Sequence, residues 1–247
     1  MTFHESTAPG SSNSPLLTAG IFDVDGVLLA SPHERAWREA LSGFADADRF
    51  DTAMYQAEVA GKPRLDGARA ALEALGVADA AERAEAYAEA KQARLEELIH
   101  AGAVAAFPDA LRFVQALAAL GLPMAVASSS KNANQMMRPL RLASGESLLD
   151  VFSANVCGWD LRQGKPNPEI FLRAAMELRV APETCFVAED APAGVEAAHA
   201  GCMTALGVAR LGDAIPLWAA GADMVVTSLD EIAVDEMARG RLSRRPT

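Results

Sequence analysis

The chain has 247 residues with a mean hydropathy of +0.09, and 51% of them are apolar, which is enough to bury a sizeable core. Its 22 basic and 33 acidic side chains give a net charge of −11, which argues against nucleic acids and anionic membrane surfaces, because both bind clustered lysine and arginine. Three widely spaced cysteines form neither a disulfide framework nor a zinc motif, and they predict reduced thiols in a cytoplasmic protein.

The predicted elements begin with a buried strand over 16–24 (LLTAGIFDV), a short apolar run with a carboxylate near its end. From about Pro32 to Gly102, alanine, glutamate and arginine dominate and apolar residues recur at helical spacing, which predicts consecutive helices and no strand. After Phe107, strands and helices alternate. The predicted strands are 123–128, 184–188, 203–208 and 224–226, and the predicted helices are 108–120, 168–178, 193–200, 214–220, one from about 132 and one at the C-terminal end.

This alternation predicts an α/β fold, with a Rossmann-like parallel sheet as its core and helices on both faces. The core is expected to comprise 16–30 and 106–238, and the all-helical segment 31–105 is expected to be inserted into it. The two ends, 1–15 and 239–247, are expected to be disordered tails. No stretch approaches the roughly 18 consecutive apolar residues of a membrane-spanning helix.

Two carboxylates, Asp23 and Asp25, follow the first predicted strand, and Gly26 lets the chain turn away after them. In open α/β sheets the ligand lies beyond the carboxyl ends of the strands, so both carboxylates are candidates for a site. An ordinary Asp-Gly turn is the simple alternative. A calcium loop running to Glu34 is rejected, because Leu28 stands where that loop requires glycine.

Three further polar groups follow later strands. The run 128–132 (SSSKN) is either a helix N-cap or a phosphate site in which helix N–H groups, hydroxyls and one ammonium converge. Lys165 stands in a proline-bracketed loop, where a lone lysine is usually exposed to solvent. Glu189 and Asp190 follow the strand 184–188, where two acids can also be the ordinary acidic start of a helix.

Taken together, these groups predict a phosphoryl-transfer site. Asp23, Glu189 and Asp190 at neighbouring strand ends would repel one another if unpaired, and a hard divalent cation removes that repulsion. All-oxygen ligands favour Mg²⁺. Lys165 and Ser128 would then supply positive charge and hydrogen bonds to the remaining phosphate oxygens.

The order of these motifs resembles that of the haloacid dehalogenase superfamily. The matching motifs are DxDG at 23–26, Ser128 at a strand end, KPxP at 165–168 and ED at 189–190, and the resemblance spans about 20–230. The helical segment after DxDG resembles the helical cap of that superfamily, and residues 31–105 are called the cap from here on.

Within the superfamily the chain is similar to the β-phosphoglucomutase-like group, through HERAW at 33–37, GKPR at 61–64 and SKN at 130–132. The resemblance implies that Asp23 is a nucleophile that forms an aspartyl-phosphate and that Asp25 is the general acid and base. The implied metal ligands are Asp23, Asp25 through its backbone carbonyl, Glu189 and Asp190. Ser128 and Lys165 would hold the transferring phosphoryl group. The implied substrate and phosphate contacts are His33, Arg64, Lys91, Ser129, Ser130, Lys131 and Asn132.

The resemblance therefore implies an Mg²⁺-dependent, monomeric enzyme that acts on a small sugar phosphate and converts β-glucose 1-phosphate to glucose 6-phosphate. A sugar-phosphate phosphatase that uses the same site is the alternative. A binding protein without activity is disfavoured, because every chemical position holds a competent residue.

Two departures from the group bear on this choice. The stretch 28–32 (LLASP) is about two residues shorter than in the mutases, which slightly favours hydrolysis, and Pro63 replaces a small hydroxyl residue before Arg64.

Simpler roles stay open for three cap residues. His33 and Arg64 can be solvated residues at helix starts, and Lys91 can be a surface partner on a glutamate-rich helix.

Overall fold

A six-stranded parallel sheet forms the centre of the computed structural model, which describes residues 15–210, 212 and 214–246. In chain order the strands are β1 (Ala19–Phe22), β2 (Leu29–Ala30), β3 (Ala105–Ala106), β4 (Met124–Val126), β5 (Ala154–Asn155), β6 (Cys185–Glu189), β7 (Thr204–Val208) and β8 (Met224–Val226). The sheet has the order β5-β4-β1-β6-β7-β8, and every pairing in it is parallel. The α/β fold expected from the sequence is confirmed.

Helices cover both faces of the sheet and make up the cap. In chain order the α-helices of the described residues are α1 (His33–Glu39), α2 (Thr52–Met54), α3 (Arg64–Ala74), α4 (Ala80–His100), α5 (Pro108–Ala119), α6 (Ala133–Met137), α7 (Glu169–Leu178), α8 (Pro192–Ala200), α9 (Ala214–Ala219) and α10 (Val234–Met237). A π-helical turn, Tyr55–Val59, continues α2. None of these helices combines the length and the apolarity that are needed to cross a membrane.

The central strands are buried on both faces, which explains their continuous apolar sequences. Because successive side chains of a strand point to opposite faces, Ile21 packs in one layer with Ala125 and Val187. Phe22 packs in the other layer, where its ring meets that of Phe186 at 5.6 Å between centroids. Strands β4, β1 and β6 are neighbours, so the polar residues that follow them converge at one edge of the sheet.

The cap has an apolar centre of its own. The rings of Trp37 and Tyr87 lie 5.2 Å apart, and the Tyr87 hydroxyl donates to the Trp37 carbonyl at 2.8 Å. As expected, no strand interrupts residues 32–102, all of which are described. Strands β2 and β3 pair antiparallel where the chain leaves and re-enters the sheet region. The boundaries of core and cap stay predictions.

The structure contains three two-residue strands that were not expected. Strands β2, β3 and β5 were missed because two residues carry no periodic signal. The end 239–247 was expected to be a disordered tail, whereas polar groups of the described residues 239–246 make contacts with the core. Leu17 N–H donates to the Gly240 carbonyl at 2.9 Å, and Arg244 pairs with Glu231. The expected tail 1–15 lies outside the described residues except for Pro15.

Candidate active site

A buried lysine joins two strand ends at the centre of the site. Lys165 Nζ donates to Asp23 Oδ1 at 2.5 Å and also contacts Glu189 Oε1. Lys165 is only 3% exposed, so the solvated alternative for this residue is excluded. Burial alone would lower the pKa of Lys165, but the two carboxylates outweigh it and raise the pKa above its ordinary value. The two carboxylates therefore stabilise the charged form of Lys165.

Glu189 is held on both of its oxygens. Oε1 meets Lys165, and Oε2 accepts hydrogen bonds from the N–H groups of Asp190 at 3.0 Å and Ala191 at 3.1 Å. The first turn of α8 comes so close that a Cβ on Gly194 would lie 2.0 Å from the Glu189 carboxyl group. The sequence implies Glu189 as a metal ligand, whereas these contacts also make it the anchor of Lys165.

Asp190 forms no ion pair with any of the described residues. Burial raises its pKa well above the ordinary value, and the charges of Glu189, Asp23 and Asp25 raise it further. Gly26 adopts φ +75°, and a Cβ there would lie 1.9 Å from Asp190 Oδ2, so only glycine fits beside this carboxylate. A buried carboxylate that lies among other carboxylates favours the binding of a cation.

The oxygen donors fit the implied Mg²⁺. No group of three or more histidine, cysteine, aspartate or glutamate side chains in the described part of the chain could hold a metal by itself. The carboxylates of Asp23 and Asp190, with the backbone carbonyl of Asp25, form a small all-oxygen set of the kind that Mg²⁺ completes with water and phosphate oxygens. The raised pKa of Asp190 follows from its burial and from the neighbouring carboxylates of the same set, as expected for acids gathered around a cation.

Asp25 is held by two hydroxyl groups. Ser31 Oγ donates to its Oδ1, and the Tyr55 hydroxyl donates to its Oδ2 at 3.4 Å. Burial raises the pKa of Asp25 to about 6, with a further rise from Asp23, against the opposing effects of Ser31, Lys91 and Tyr55. A carboxyl group that titrates near neutral pH can both give and accept a proton during catalysis.

The serine-rich loop 128–132 turns back on itself above the sheet edge. Ser128 is buried, and its Oγ accepts a hydrogen bond from Ser130 N–H at 3.2 Å, while Ser130 Oγ accepts one from Asn132 N–H at 3.2 Å. Ser129 Oγ donates to the Gly61 carbonyl of the cap at 3.3 Å. Lys131 is mostly exposed at the pocket mouth. The loop thus presents hydroxyls inward and one ammonium outward.

Two cap residues reach this loop from above. Lys91 Nζ lies 2.9 Å from His33 Nδ1, and His33 Nε2 lies 3.3 Å from Ser130 Oγ. Burial lowers the pKa of Lys91 to about 7, and it lowers the pKa of His33 well below its usual range. Lys91 is 3% exposed, so a surface role is excluded for it. Arg64, the first residue of α3, is exposed and lines the same pocket.

Core and cap enclose one pocket of about 290 Å³. The implied site residues that line it are Asp23, Asp25, His33, Arg64, Lys91, Ser128, Ser129, Ser130, Lys131, Asn132 and Asp190. Lys165 and Glu189 lie behind Asp23 rather than in the lining. The pocket is therefore built from both parts of the chain.

Sequence reasoning missed three residues that contact the candidate site residues. Tyr55 belongs to no motif, and Ser31 stood out only through the short stretch that contains it. Gln92 follows Lys91 directly and forms a reciprocal amide pair with Asn132, with both N–O distances 3.2 Å. Its position next to a candidate residue was the one available signal.

Comparison with known proteins finds similarity to enzymes that act on sugar phosphates. The model of the haloacid dehalogenase-like hydrolase family matches residues 18–201. A β-phosphoglucomutase of Mycobacterium bovis is 36% identical over 244 residues, which cover 87% of this chain and 90% of that protein. Hexitol phosphatase A of Escherichia coli is 30% identical over 224 residues, covering 89% and 95%.

A solved structure agrees with these relatives. The crystal structure of an archaeal β-phosphoglucomutase from Pyrococcus sp. Strain ST 04 superposes with a TM-score of 0.71 at 29% identity, covering 89% of this chain and 96% of that one. The chain is thus similar to mutases and to phosphatases.

Proposed function

The chain belongs to the haloacid dehalogenase-like hydrolase family, and from this premise we propose that it is an Mg²⁺-dependent phosphomutase of the β-phosphoglucomutase type. It is an enzyme of the sugar-phosphate phosphomutase or phosphatase class. The proposed reaction converts β-glucose 1-phosphate to glucose 6-phosphate through a bisphosphate intermediate. Cytoplasmic location and a monomeric state stay predictions from the sequence.

The observation that supports a mutase best is that one pocket joins the sheet-edge carboxylates to cationic and hydrogen-bonding groups of the loop and the cap. Asp23 lines this pocket together with Ser130, Lys131 and Arg64. A sugar bisphosphate needs such groups for its second phosphate as well as for the phosphate that is transferred. A simple phosphatase needs them only for the transferred phosphate.

The proposed chemistry uses the residues at the sheet edge. Asp23 attacks the phosphorus in line, forms an aspartyl-phosphate and releases the sugar oxygen, which Asp25 protonates. Asp25 then accepts a proton from the next hydroxyl group as that oxygen attacks the aspartyl-phosphate. Lys165, which Glu189 holds against Asp23, neutralises charge that develops on the phosphoryl oxygens.

Mg²⁺ would be held by the carboxylates of Asp23 and Asp190 and the backbone carbonyl of Asp25, and it would neutralise the remaining phosphate charge. Glu189, which does not line the pocket, would hold Lys165 in position beside Asp23. His33, Lys91 and Ser130 form a hydrogen-bonded chain across the pocket, which supports a role for them in orienting the sugar.

Hydrolysis of a sugar phosphate is the second candidate. Its support is the short stretch 28–32 between DxDG and the cap, together with the similarity to a hexitol phosphatase. In that case the same aspartyl-phosphate would pass to water, with Asp25 again as base.

One experiment separates the two candidates. The enzyme is incubated with β-glucose 1-phosphate, Mg²⁺ and a glucose bisphosphate primer, and glucose 6-phosphate and inorganic phosphate are measured in the same sample. We expect glucose 6-phosphate in large excess over phosphate, and neither product with Asp23→Asn. Phosphate without glucose 6-phosphate would contradict the mutase and support the hydrolase.

A further inference from the structure

Tyr55 is a buried cap residue whose hydroxyl reaches the carboxylate of Asp25. The hydroxyl donates to Asp25 Oδ2 at 3.4 Å, and Ser31 Oγ donates to Oδ1 of the same group. Each oxygen of this carboxylate therefore has one hydroxyl partner. Ser31 is the first residue of the cap, directly after β2, and Tyr55 lies further along the cap.

Tyr55 lies in an unusual segment of the cap backbone, from which its hydroxyl reaches Asp25. It begins the π-helical turn Tyr55–Val59, a rare wide turn that is often found at functional sites. Its ring packs on Phe50, with 6.3 Å between centroids, inside the apolar centre of the cap. The ring is thus fixed in the cap while the hydroxyl points across to the core.

We propose that Tyr55 is a positioning residue for Asp25, which holds the carboxylate in place for proton transfer while the cap is closed. This inference rests on the proposed role of Asp25 as general acid and base. When the cap lifts, Ser31 stays near Asp25 because it directly follows β2, whereas the Tyr55 hydroxyl moves away with the body of the cap. Proton transfer then becomes efficient only after closure has excluded bulk water.

The two chemical steps allow this role to be isolated. With p-nitrophenyl phosphate, Asp23 attacks phosphorus and the bond to the nitrophenolate oxygen breaks; the nitrophenolate leaves as a stable anion and needs no proton. In the second step water attacks the aspartyl-phosphate, its proton goes to Asp25, and phosphate leaves as Asp23 is regenerated. The position of Asp25 therefore matters in the second step and not in the first.

The test compares Tyr55→Phe with Tyr87→Phe, which removes the hydroxyl of the only other tyrosine in the chain. Tyr87 is also buried in the cap, but its hydroxyl donates to the Trp37 carbonyl and it lies outside the pocket. The fast burst of nitrophenolate and the later steady rate are followed with p-nitrophenyl phosphate. The value of kcat is also measured with β-glucose 1-phosphate.

For Tyr55→Phe we expect an unchanged burst and a KM for p-nitrophenyl phosphate that falls together with the steady rate, because only the second step slows. We expect the steady rate to fall about tenfold, a part of the roughly 10²–10⁴-fold that general acid–base catalysis supplies. The value of kcat with β-glucose 1-phosphate should fall by about the same factor, because its alkoxide leaving group needs the proton. Tyr87→Phe should lower the melting temperature and leave both rates as they are.

A Tyr55→Phe enzyme with an unchanged steady rate would overturn the inference. Equal losses in burst and steady rate would overturn it too, because they would indicate general damage to the site. A wild-type enzyme with neither burst nor turnover on both probes would contradict the proposed function itself, and the inference with it.

Discussion

At the scale of single residues, the site is held together by buried charge. Lys165 lies between Asp23 and Glu189, and all three are nearly inaccessible to solvent. Such a group is sensitive to the loss of any member, because the remaining charges stay buried without compensation. The same arrangement keeps an ammonium beside the proposed nucleophile.

Replacement of Lys165 tests whether the two buried carboxylates depend on its charge. Lys165→Met leaves Asp23 and Glu189 facing each other, so we expect the free energy of unfolding at pH 7 to fall by about 3–5 kcal/mol. Urea unfolding measures the loss, and phosphoryl transfer should disappear as well. Lys131→Met is the matched control, because Lys131 and its partner Asp160 are solvated, and its unfolding midpoint should not move. Equal midpoints for the two variants would contradict this account.

Lys91 is a second buried charge, and its cost to stability depends on pH. Its pKa is about 7 in the folded protein, because of burial, against an ordinary 10.5. Between these pH values the unfolded chain binds more protons than the folded one, so the stability of the wild type rises with pH through this window. Below pH 7 the full penalty of the buried ammonium is present.

We therefore expect Lys91→Met to raise the melting temperature at pH 6. The gain should shrink above pH 7 and vanish as the pH approaches 10.5. Melting scans from pH 6 to about pH 10.5 measure it, with Lys131→Met as the control that shows no such trend. A gain that is constant across the pH range would show that packing, and not the charge of Lys91, is responsible.

At this scale the sequence predicted the acids, the lysine and the serine loop, because each belongs to a spaced motif. It did not predict Tyr55, since one tyrosine in a helical stretch looks like any other apolar residue of the cap. The sequence also left open whether Lys91 is a surface residue or part of the candidate site, because the exposure of a helical residue depends on which helix face the fold covers.

At the scale of elements, the parallel pairing of β4, β1 and β6 brings distant motifs together. The strand–helix alternation predicted this sheet, because each strand is a clear apolar run. Strand β5 was missed, because its two residues are added to the sheet edge by pairing with β4 and not by their own pattern. The π-helical turn was missed for a similar reason, since its apolar spacing does not differ from that of an α-helix.

Helix α4 is tied to the core loop by the amide pair of Gln92 and Asn132. Two net hydrogen bonds of about 0.5–1.5 kcal/mol each hold the cap closed, so Gln92→Ala should increase the open population by about tenfold. Water then reaches the aspartyl-phosphate more often. We expect the ratio of phosphate released to glucose 6-phosphate formed to rise by about the same factor.

The control for this prediction is Gln115→Ala, because Gln115 lies on α5 outside the pocket. Its product ratio should equal that of the wild type. A Gln92→Ala enzyme with an unchanged product ratio would show that this pair does not control closure.

At the scale of the whole molecule, the C-terminal end packs against the core. Ala233 N–H donates to the Ser243 carbonyl at 2.9 Å, and Arg244 pairs with Glu231. The sequence could not predict this, because a short basic end is usually solvated and its acidic partners are brought close only by the fold. These contacts lie far in the chain from the motifs of the site.

Deleting residues 241–247 should therefore weaken the fold and spare the chemistry. The lost hydrogen bonds are worth about 1–2 kcal/mol, which lowers the melting temperature of a chain of this length by about 2–8 °C. Activity per folded molecule at 20–25 °C (about room temperature) should not change. Loss of activity without a change in melting temperature would contradict this separation of fold and site.

The net charge of −11 is consistent with a substrate that is a small anion, because Asp23 and Asp190 would bind the proposed cation and so offset part of the acidity. In the proposed function these acids serve phosphoryl transfer through Asp23. Rapid acid quench of the enzyme during turnover of β-glucose 1-phosphate with Mg²⁺, followed by peptide mass spectrometry, locates the phosphoryl group on the chain. We expect one phosphoryl group on Asp23, absent from Asp23→Asn. Turnover with the phosphoryl group on another residue, or with none on the enzyme, would contradict the proposed role of Asp23.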